Sequence, residues 1–244
     1  MKDAGLFVFT LLAYFVKAVT GFGDTLVMSA LFSFLVPNTL TTPVNLLLSL
    51  PANAAVVYRE RRSLSLRIVG PLSLMLLAGD IPGAFLLARL PARPVKSILG
   101  VVIVALAVWM IARRHVKSSA KPHPLLTLTV GVLSGLLCGL FGIGALLAAY
   151  LGRVTDDKSR FRGNLCCIFL LENLVRFVVY LLTGLLNIKV LLLTLLVLPA
   201  SAIGLFAGMK ADRRLDDRTV RAATLILLLV SGLFLTVQNL PPLP

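Results

Sequence analysis

The chain has 244 residues, of which 58% are hydrophobic and only 14% are charged, and its mean hydropathy is +0.97. A soluble domain has about 45–50% apolar and about 25% charged residues, so a water-soluble globule and a disordered chain are excluded, and a polytopic helical membrane protein is indicated. A net charge of +14 would suggest nucleic-acid binding in a soluble protein; in a membrane protein it first reports how basic residues are distributed across the bilayer.

Ten apolar segments are separated by charges or turn residues. In chain order they are residues 6–19, 25–36, 40–58, 68–88, 95–112, 125–140, 145–151, 165–182, 190–209 and 220–237. Six approach the roughly 20 residues that a full crossing needs. The four shorter segments form two pairs, joined by the glycine breaks Gly21-Phe22-Gly23 and Gly142-Ile143-Gly144. Each pair is predicted to form a hairpin of broken or re-entrant helices, whose apex must be sheltered by protein or by a water-filled cavity.

Basic residues are concentrated on one side of this predicted topology. Seventeen of the 24 Lys and Arg residues fall in the connections 59–67, 113–121, 153–162 and 210–221, and only five fall on the opposite side. The positive-inside rule places the larger group in the cytoplasm. The prediction is a multi-pass protein of the cell (plasma or inner) membrane, with both termini on the non-cytoplasmic side.

The two halves of the chain repeat one order of features. The two glycine breaks align, as do, loosely, Asn45 and Asn53 with Asn164 and Asn173, and Gly79 and Gly83 recur as Gly204 and Gly208 at a constant offset of 125. Three full crossings per half is an odd number, so the second half must be inverted. The predicted fold is an all-α integral membrane protein with two inverted-topology repeats, 1–120 and 121–244, each a broken or re-entrant hairpin plus three transmembrane helices. The alternative is that the glycines only permit close helix packing.

Two polar stripes occupy corresponding helices of the halves. Ionisable groups inside a membrane cost about 2.5–3.5 kcal/mol each, so each invites a functional hypothesis. On a helix, Glu172, Asn173, Arg176, Tyr180 and Thr183 share an arc of about 100°, and Thr42, Asn45, Ser49 and Asn53 share about 80°. Arg176 either binds an anion through its planar fork or forms a closed ion pair with Glu172.

The helices that follow the glycine breaks, beginning at Thr25 and Ala145, present N–H groups and a positive dipole end that favour an anion. Glycine lets a substrate approach this backbone closely. Asp24 either caps its helix, paired with Lys17, or carries a coupling proton. Asp80 is either a proton relay or a residue that snorkels near the outer surface.

No Walker motif, zinc signature or nucleophile elbow is present, so neither a primary pump nor a familiar enzyme is indicated. The three cysteines form no disulfide framework, and neither His115 nor His123 has a ligand spacing. No catalytic residue, metal or cofactor is expected. An enzyme would need thiol chemistry at Cys138 or Cys166.

The sequence resembles the sulfite exporter TauE/SafE family, also called the four-toluene-sulfonate uptake permease family. The resemblance rests on the first glycine break, on the glycine-rich residues 135–144, on Phe161-Arg162 and on the run through Asn173, Arg176 and Tyr180. It implies a bacterial-type membrane protein that moves small anions such as sulfite, sulfonates or organic acids. The chain departs from the family where further glycines usually follow the first break, since it has Asp24-Thr25.

These observations predict a secondary transporter that moves small anions by alternating access at a central site between two repeats. The expected substrate-binding residues are Gly21, Gly23, Thr25, Asn45, Asn53, Gly142, Gly144, Asn173, Arg176 and Tyr180. The candidate proton carriers are Asp24, Asp80 and Glu172. The expected partners are the lipid bilayer and a small anion, with a proton or sodium ion as coupling ion, in a chain that could form a homo-oligomer; nucleic acid is not expected. The alternative is a non-transporting membrane scaffold or channel-like component.

Overall fold

The computed structural model of the protein describes residues 2–32, 35–89, 124–155 and 157–211, together with positions 98, 101–102, 104–105, 108 and 233. All regular structure within these residues is helical. The helices are α1 (Lys2–Thr20), α2 (Asp24–Phe32), α3 (Asn38–Arg59), a short 3₁₀ helix (Arg61–Ser63), α4 (Leu66–Arg89), α5 (Pro124–Phe141), α6 (Ala145–Val154), α7 (Lys158–Leu182) and α8 (Ile188–Ala211).

Five of these helices are long and apolar enough to cross a membrane: α1, α3, α4, α7 and α8. The predicted crossings at 40–58, 68–88, 165–182 and 190–209 are therefore confirmed as membrane-length helices. The predicted crossings at 95–112 and 220–237 lie almost entirely outside the described residues. The chain is thus a multi-pass membrane protein whose described residues form only helices, and the sidedness of its termini stays a prediction.

The first helix is longer than its apolar segment suggested. α1 has 19 residues and is long enough to cross a membrane, so the prediction that both members of the first hairpin are short is wrong for α1. α5, with 18 residues, is not among the membrane-length helices of the described residues. α1 extends through polar residues before its apolar segment, and Asp3 in its first turn complements the helix dipole. The short members are α2, with 9 residues, and α6, with 10. At 1.5 Å per residue neither can span a bilayer.

Glycine is required at both breaks by the backbone itself. Gly21, Gly23 and Gly142 have φ angles of +85°, +97° and +71°, in the left-handed region that other residues rarely adopt. The N–H of Gly21 still donates to the carbonyl of Lys17, and that of Gly142 to the carbonyl of Cys138. Each long helix therefore closes its last turn before the chain changes direction.

The recurring glycines of the third long helix in each half serve helix packing. A Cβ atom on Gly79 of α4 would overlap the carbonyl oxygen of Val132 in α5, and one on Gly204 of α8 would overlap that of Leu11 in α1. Later glycines of α4 contact later residues of α5, and later glycines of α8 contact later residues of α1. Helix α4 therefore runs parallel to α5, and α8 runs parallel to α1. The two halves thus use the same close, small-residue interface.

Helix α7 passes both glycine breaks. Its beginning lies against the first break, where Arg162 Cγ would be 3.0 Å from a Cβ on Gly21. Further along, Phe169 packs on Gly144, and Arg176 lies beside Gly142. Near its end, the hydroxyl of Tyr180 donates to the carbonyl of Gly139, 3.4 Å away. The ends of α1 and α5 therefore meet α7 towards its opposite ends, and the side chains between them define the centre of the protein.

The glycine interfaces predict a sharp difference between matched substitutions. Gly79→Ala and Gly204→Ala force two backbones apart, and overpacking of this kind costs about 1–3 kcal/mol, so each variant is expected to lower the midpoint of thermal unfolding in detergent. Gly70→Ala on α4 is the control, because Gly70 is exposed with nothing within 4 Å of an added Cβ. An equal effect of all three substitutions would contradict this account.

Candidate functional site

A cavity lies where the two glycine breaks meet α3 and α7. It is lined by Lys17, Phe22, Gly23, Asp24, Thr25, Leu26, Asn45, Ser49, Asn53, Cys138, Gly142, Gly144, Ala145, Phe169, Glu172, Asn173 and Arg176. The structure thus brings most of the expected site residues together from both halves of the chain. Three expected residues, Gly21, Asp80 and Tyr180, do not line this cavity.

The two breaks touch each other in the cavity wall. A Cβ on Gly142 would be 2.6 Å from Thr25 Cγ2 at the start of α2 and 3.4 Å from Arg176 Nη1. The hydroxyl of Ser29 in α2 lies 3.3 Å from the carbonyl of Phe141, to which it donates. The second glycine break, at the end of α5, therefore packs against α2, the helix that follows the first glycine break.

A closed polar cluster occupies the first break. Lys17 Nζ and Ser49 Oγ each lie 2.7 Å from Asp24 Oδ2 and donate to it. The hydroxyl of Tyr14 lies 3.2 Å from Ser49 Oγ and donates to Asn45 Oδ1 at 3.1 Å. Asp24 is therefore paired with Lys17, while its role as a cap or as a proton carrier stays a prediction. This carboxylate makes the start of α2 a poorer place for an anion.

Arg176 is held between two carboxylates. Its Nε donates to Asp80 Oδ1 at 3.0 Å, and its Nη2 contacts Glu172 one turn earlier on α7. All three residues are buried, with Arg176 3% exposed and Asp80 0% exposed. Pairing is what makes such burial tolerable, because an isolated ion in an apolar interior is strongly disfavoured.

The position of Asp80 corrects a prediction. A residue that snorkels towards the outer surface would keep its carboxylate in water, yet Asp80 is fully buried against Arg176. Local sequence patterns do not predict this contact, because Asp80 and Arg176 are 96 positions apart. Only the packing of α4 against α7 joins them.

Asn53 stands out as a buried amide without a partner. Both its Oδ1 and its Nδ2 lack a hydrogen-bond partner among the described residues, although its exposure is 0% and it lines the cavity. By contrast, Asn45 donates from Nδ2 to the hydroxyl of Thr25. Buried polar groups in folded proteins are nearly always satisfied by protein, water or a ligand. Asn53 is therefore a candidate for binding a polar species in the cavity.

The second break presents a different chemical environment. No side chain within the described part of the chain caps the start of α6 at Gly144, and no acidic residue lies in its first turn. Phe169 covers Gly144 so closely that an added Cβ would overlap its ring. The start of α6 therefore retains its positive dipole end towards a pocket closed on one side by an aromatic ring.

Two of the expected residues that lie outside the cavity support the helices that form it. Gly21 packs on Arg162, whose guanidinium donates to the carbonyl of Val19 near the end of α1. Tyr180 donates to a carbonyl near the end of α5. The side chains of Arg162 and Tyr180 thus each donate to a carbonyl group that a helix C-terminus leaves without a partner.

Two cavity residues carried no signal in the sequence. Leu26 and Phe169 are ordinary apolar residues in apolar runs. Tyr14, beside the cavity, could have been found from helical spacing, since it lies one turn before Lys17 in α1. Within the described ranges, no group of three or more His, Cys, Asp or Glu residues could hold a metal ion.

Comparisons with known proteins agree with the sequence resemblance. Residues 6–235 match the family model described as sulfite exporter TauE/SafE. A curated protein of Sinorhizobium sp., named probable membrane transporter protein ORF9, is 30% identical over 158 residues, covering 62% of this chain and 60% of that relative. The chain therefore matches less than two thirds of the length of this relative. No solved structure matches the chain.

The buried pair in the first break predicts a non-additive pattern of stability. Lys17→Met and Asp24→Asn each leave one buried charge without its partner, a change that costs about 3–5 kcal/mol. The double variant removes both charges, so its midpoint of thermal unfolding is expected above that of either single variant. Lys189→Met, at an exposed position of α8, is the control. Additive losses in the double variant would show that the two side chains stabilise the protein independently.

Proposed function

The chain belongs to the sulfite exporter TauE/SafE family of membrane transporters, and we propose that it moves small anions by alternating access at the cavity between the glycine breaks. The substrate class is sulfite, an organosulfonate or a related organic acid. The observation that carries the proposal is the position of Arg176, a buried guanidinium in the wall of a polar cavity. A guanidinium presents paired N–H donors that match the oxygens of sulfite, sulfonates and carboxylates.

The anion is proposed to bind at the second break. When the breaks are aligned, Lys17 and Asp24 of the first correspond to Cys138 and Ala145 of the second. The first break is therefore neutralised by its own ion pair, whereas the start of α6 has no carboxylate in its first turn. Arg176 Nη1 faces Gly142 at this second break, so the guanidinium and the helix dipole act on the same place.

Asn53 is proposed to complete the site from α3. Its amide has one donor group and one acceptor oxygen, and neither has a partner among the described residues. An oxyanion in the cavity could accept from Nδ2, and a water molecule or a protonated oxygen could donate to Oδ1. Asn53 and Arg176 belong to different halves of the chain, so substrate would contact both halves at once.

Two inverted repeats, 1–120 and 121–244, are proposed to rock about this cavity. Three observations support this reading: the order of helices recurs, α4 packs on α5 as α8 packs on α1, and the ends of α1 and α5 meet α7 towards its opposite ends. Interrupted helices at matching positions are typical of secondary transporters with a midplane site. Transport is proposed to draw on substrate, proton or sodium gradients across the cell membrane, with both termini outside.

The proposal is tested with the purified full chain in proteoliposomes. Counterflow is measured with a panel of sulfite, thiosulfate, methanesulfonate and acetate. Saturable counterflow of at least one anion, with competition among members of the panel, is expected. A non-transporting scaffold would show no flux, and a channel would conduct without counterflow, so either result overturns alternating access.

Arg176→Lys tests the fork of the guanidinium separately from its charge. Lys keeps one positive charge beside the two carboxylates but cannot form two parallel hydrogen bonds to an oxyanion. Hydrogen bonds to charged groups contribute about 1.5–3 kcal/mol, so counterflow efficiency is expected to fall about tenfold or more. Arg160→Lys, at an exposed position of the same helix, should leave flux unchanged. Equal flux of wild type and Arg176→Lys would remove Arg176 from the site.

Asn53→Leu separates binding from folding. The substitution keeps the volume but removes an amide that has no partner in the described protein, so thermal stability without anion is expected to stay equal or rise. Anion affinity, measured by stabilisation against heat, is expected to fall about tenfold, the effect of one lost hydrogen bond to a charged group. Ser73→Ala is the control, since Ser73 also has a buried unpartnered hydroxyl among the described residues but does not line the cavity. Undiminished anion affinity in Asn53→Leu would contradict its assignment.

A further inference from the structure

We propose that the carboxylate of Glu172 pairs with Arg176 when substrate is absent, and that protonation of Glu172 releases Arg176 for the substrate. One proton then accompanies each monovalent anion. The inference rests on the proposed function and assigns its coupling ion to one side chain. Asp80 has a different role: it positions Arg176 throughout the cycle.

The charges around the cavity do not balance. Lys17 and Asp24 form a closed pair, in which the same carboxylate oxygen also accepts from Ser49. Arg176 by contrast faces two carboxylates, Asp80 and Glu172. This second group therefore carries one excess negative charge when all three residues are ionised. When an anion replaces Glu172 at Arg176, one proton on a carboxylate keeps this group from gaining a second excess negative charge, which would be costly here.

Of the carboxyl groups near the cavity, Glu172 is the one that can exchange a proton with water in the cavity. The titratable groups that line the cavity with Glu172 are Lys17 on α1, Asp24 on α2, Cys138 on α5 and Arg176 on its own helix, and Asp80 on α4 shares Arg176 with it. The cavity-lining residues of α3 and α6 are not titratable. Asp24 is already held by Lys17 and Ser49, so it is not free to respond.

Asp80 and Glu172 differ in access. Glu172 lines the cavity, whereas Asp80 does not and is fully buried. The backbone of Asp80 is also closely packed, because Cβ atoms on Gly135 or Gly139 of α5 would clash with it. A proton that arrives through the cavity therefore meets Glu172 first, and Asp80 keeps its ionic contact with Arg176.

Each of the three side-chain nitrogens of Arg176 has a different neighbour. Nε donates to Asp80 Oδ1 at 3.0 Å, Nη2 contacts Glu172, and Nη1 faces Gly142 at the second break. When Glu172 becomes neutral, the edge formed by Nη1 and Nη2 is free for the two oxygens of a sulfonate, sulfite or carboxylate. The proton moves from water in the cavity to a carboxylate oxygen of Glu172. It returns to water on the opposite side after the anion has left.

The test uses methanesulfonate as the probe, because its own charge does not change between about pH 6 and pH 8. Wild-type chain in proteoliposomes should accumulate labelled methanesulfonate when an inward proton gradient is applied. The apparent affinity of the wild-type chain for methanesulfonate should fall by about tenfold for each unit by which the pH rises, in the range where a proton and the anion bind together. Glu172→Gln should still exchange methanesulfonate at equilibrium, with an affinity that is flat with pH and with no accumulation driven by the proton gradient.

Asp80→Asn and Glu172→Asp are the companion variants. Asp80→Asn should weaken methanesulfonate binding but keep its pH dependence, and Glu172→Asp should keep both pH dependence and accumulation. If Asp80→Asn alone abolishes the pH dependence, or if Glu172→Gln still accumulates methanesulfonate, the assignment to Glu172 is overturned.

A measurement on the wild type makes the test independent of how the variants fold. Methanesulfonate added to weakly buffered protein in detergent should cause uptake of about one proton per anion bound, followed with a pH indicator. Binding or exchange without proton uptake overturns the coupling and leaves the proposed anion transport intact. If no anion of the panel is exchanged or bound at any pH, the proposed function itself fails, and this inference fails with it.

Discussion

The contact of Arg176 with Asp80 joins the two halves of the protein at its centre. A guanidinium can be buried in an apolar helix only if carboxylates accompany it, because desolvation is otherwise too costly. One of these carboxylates comes from α4 and the other from α7. The packing of α4 on α7 therefore sets one of the two ionic contacts of Arg176 in the cavity wall.

Close backbone packing gives this contact its rigidity. Gly79 and Gly83 allow α4 to lie directly on α5, and Gly135 and Gly139 allow the reverse. In a membrane, where lipid chains are as apolar as Leu, such van der Waals contacts carry much of the association energy. Asp80 lies within this interface, so its position is set by backbone contacts and not only by its ion pair.

The polar clusters are not equivalent in the two halves, although the helices are arranged alike. The first break is closed by Lys17, Asp24 and Ser49. The second break has neither a cation nor a carboxylate of its own and is approached by Arg176 from α7. The first break thus carries its own ion pair, whereas the second break is approached by a cation from another helix.

The sequence by itself determined that the chain is a helical membrane protein, since composition and segment length follow from the thickness of a bilayer. It also identified both glycine breaks and the i, i+4 pair of Glu172 with Arg176, because these are local patterns. The extended length of α1, the pairing of Asp80 with Arg176 and the amide of Asn53 without a partner among the described residues were decided only by the tertiary structure. Helical period tells which residues share a face, but only the packing of distant helices decides which groups lie opposite that face.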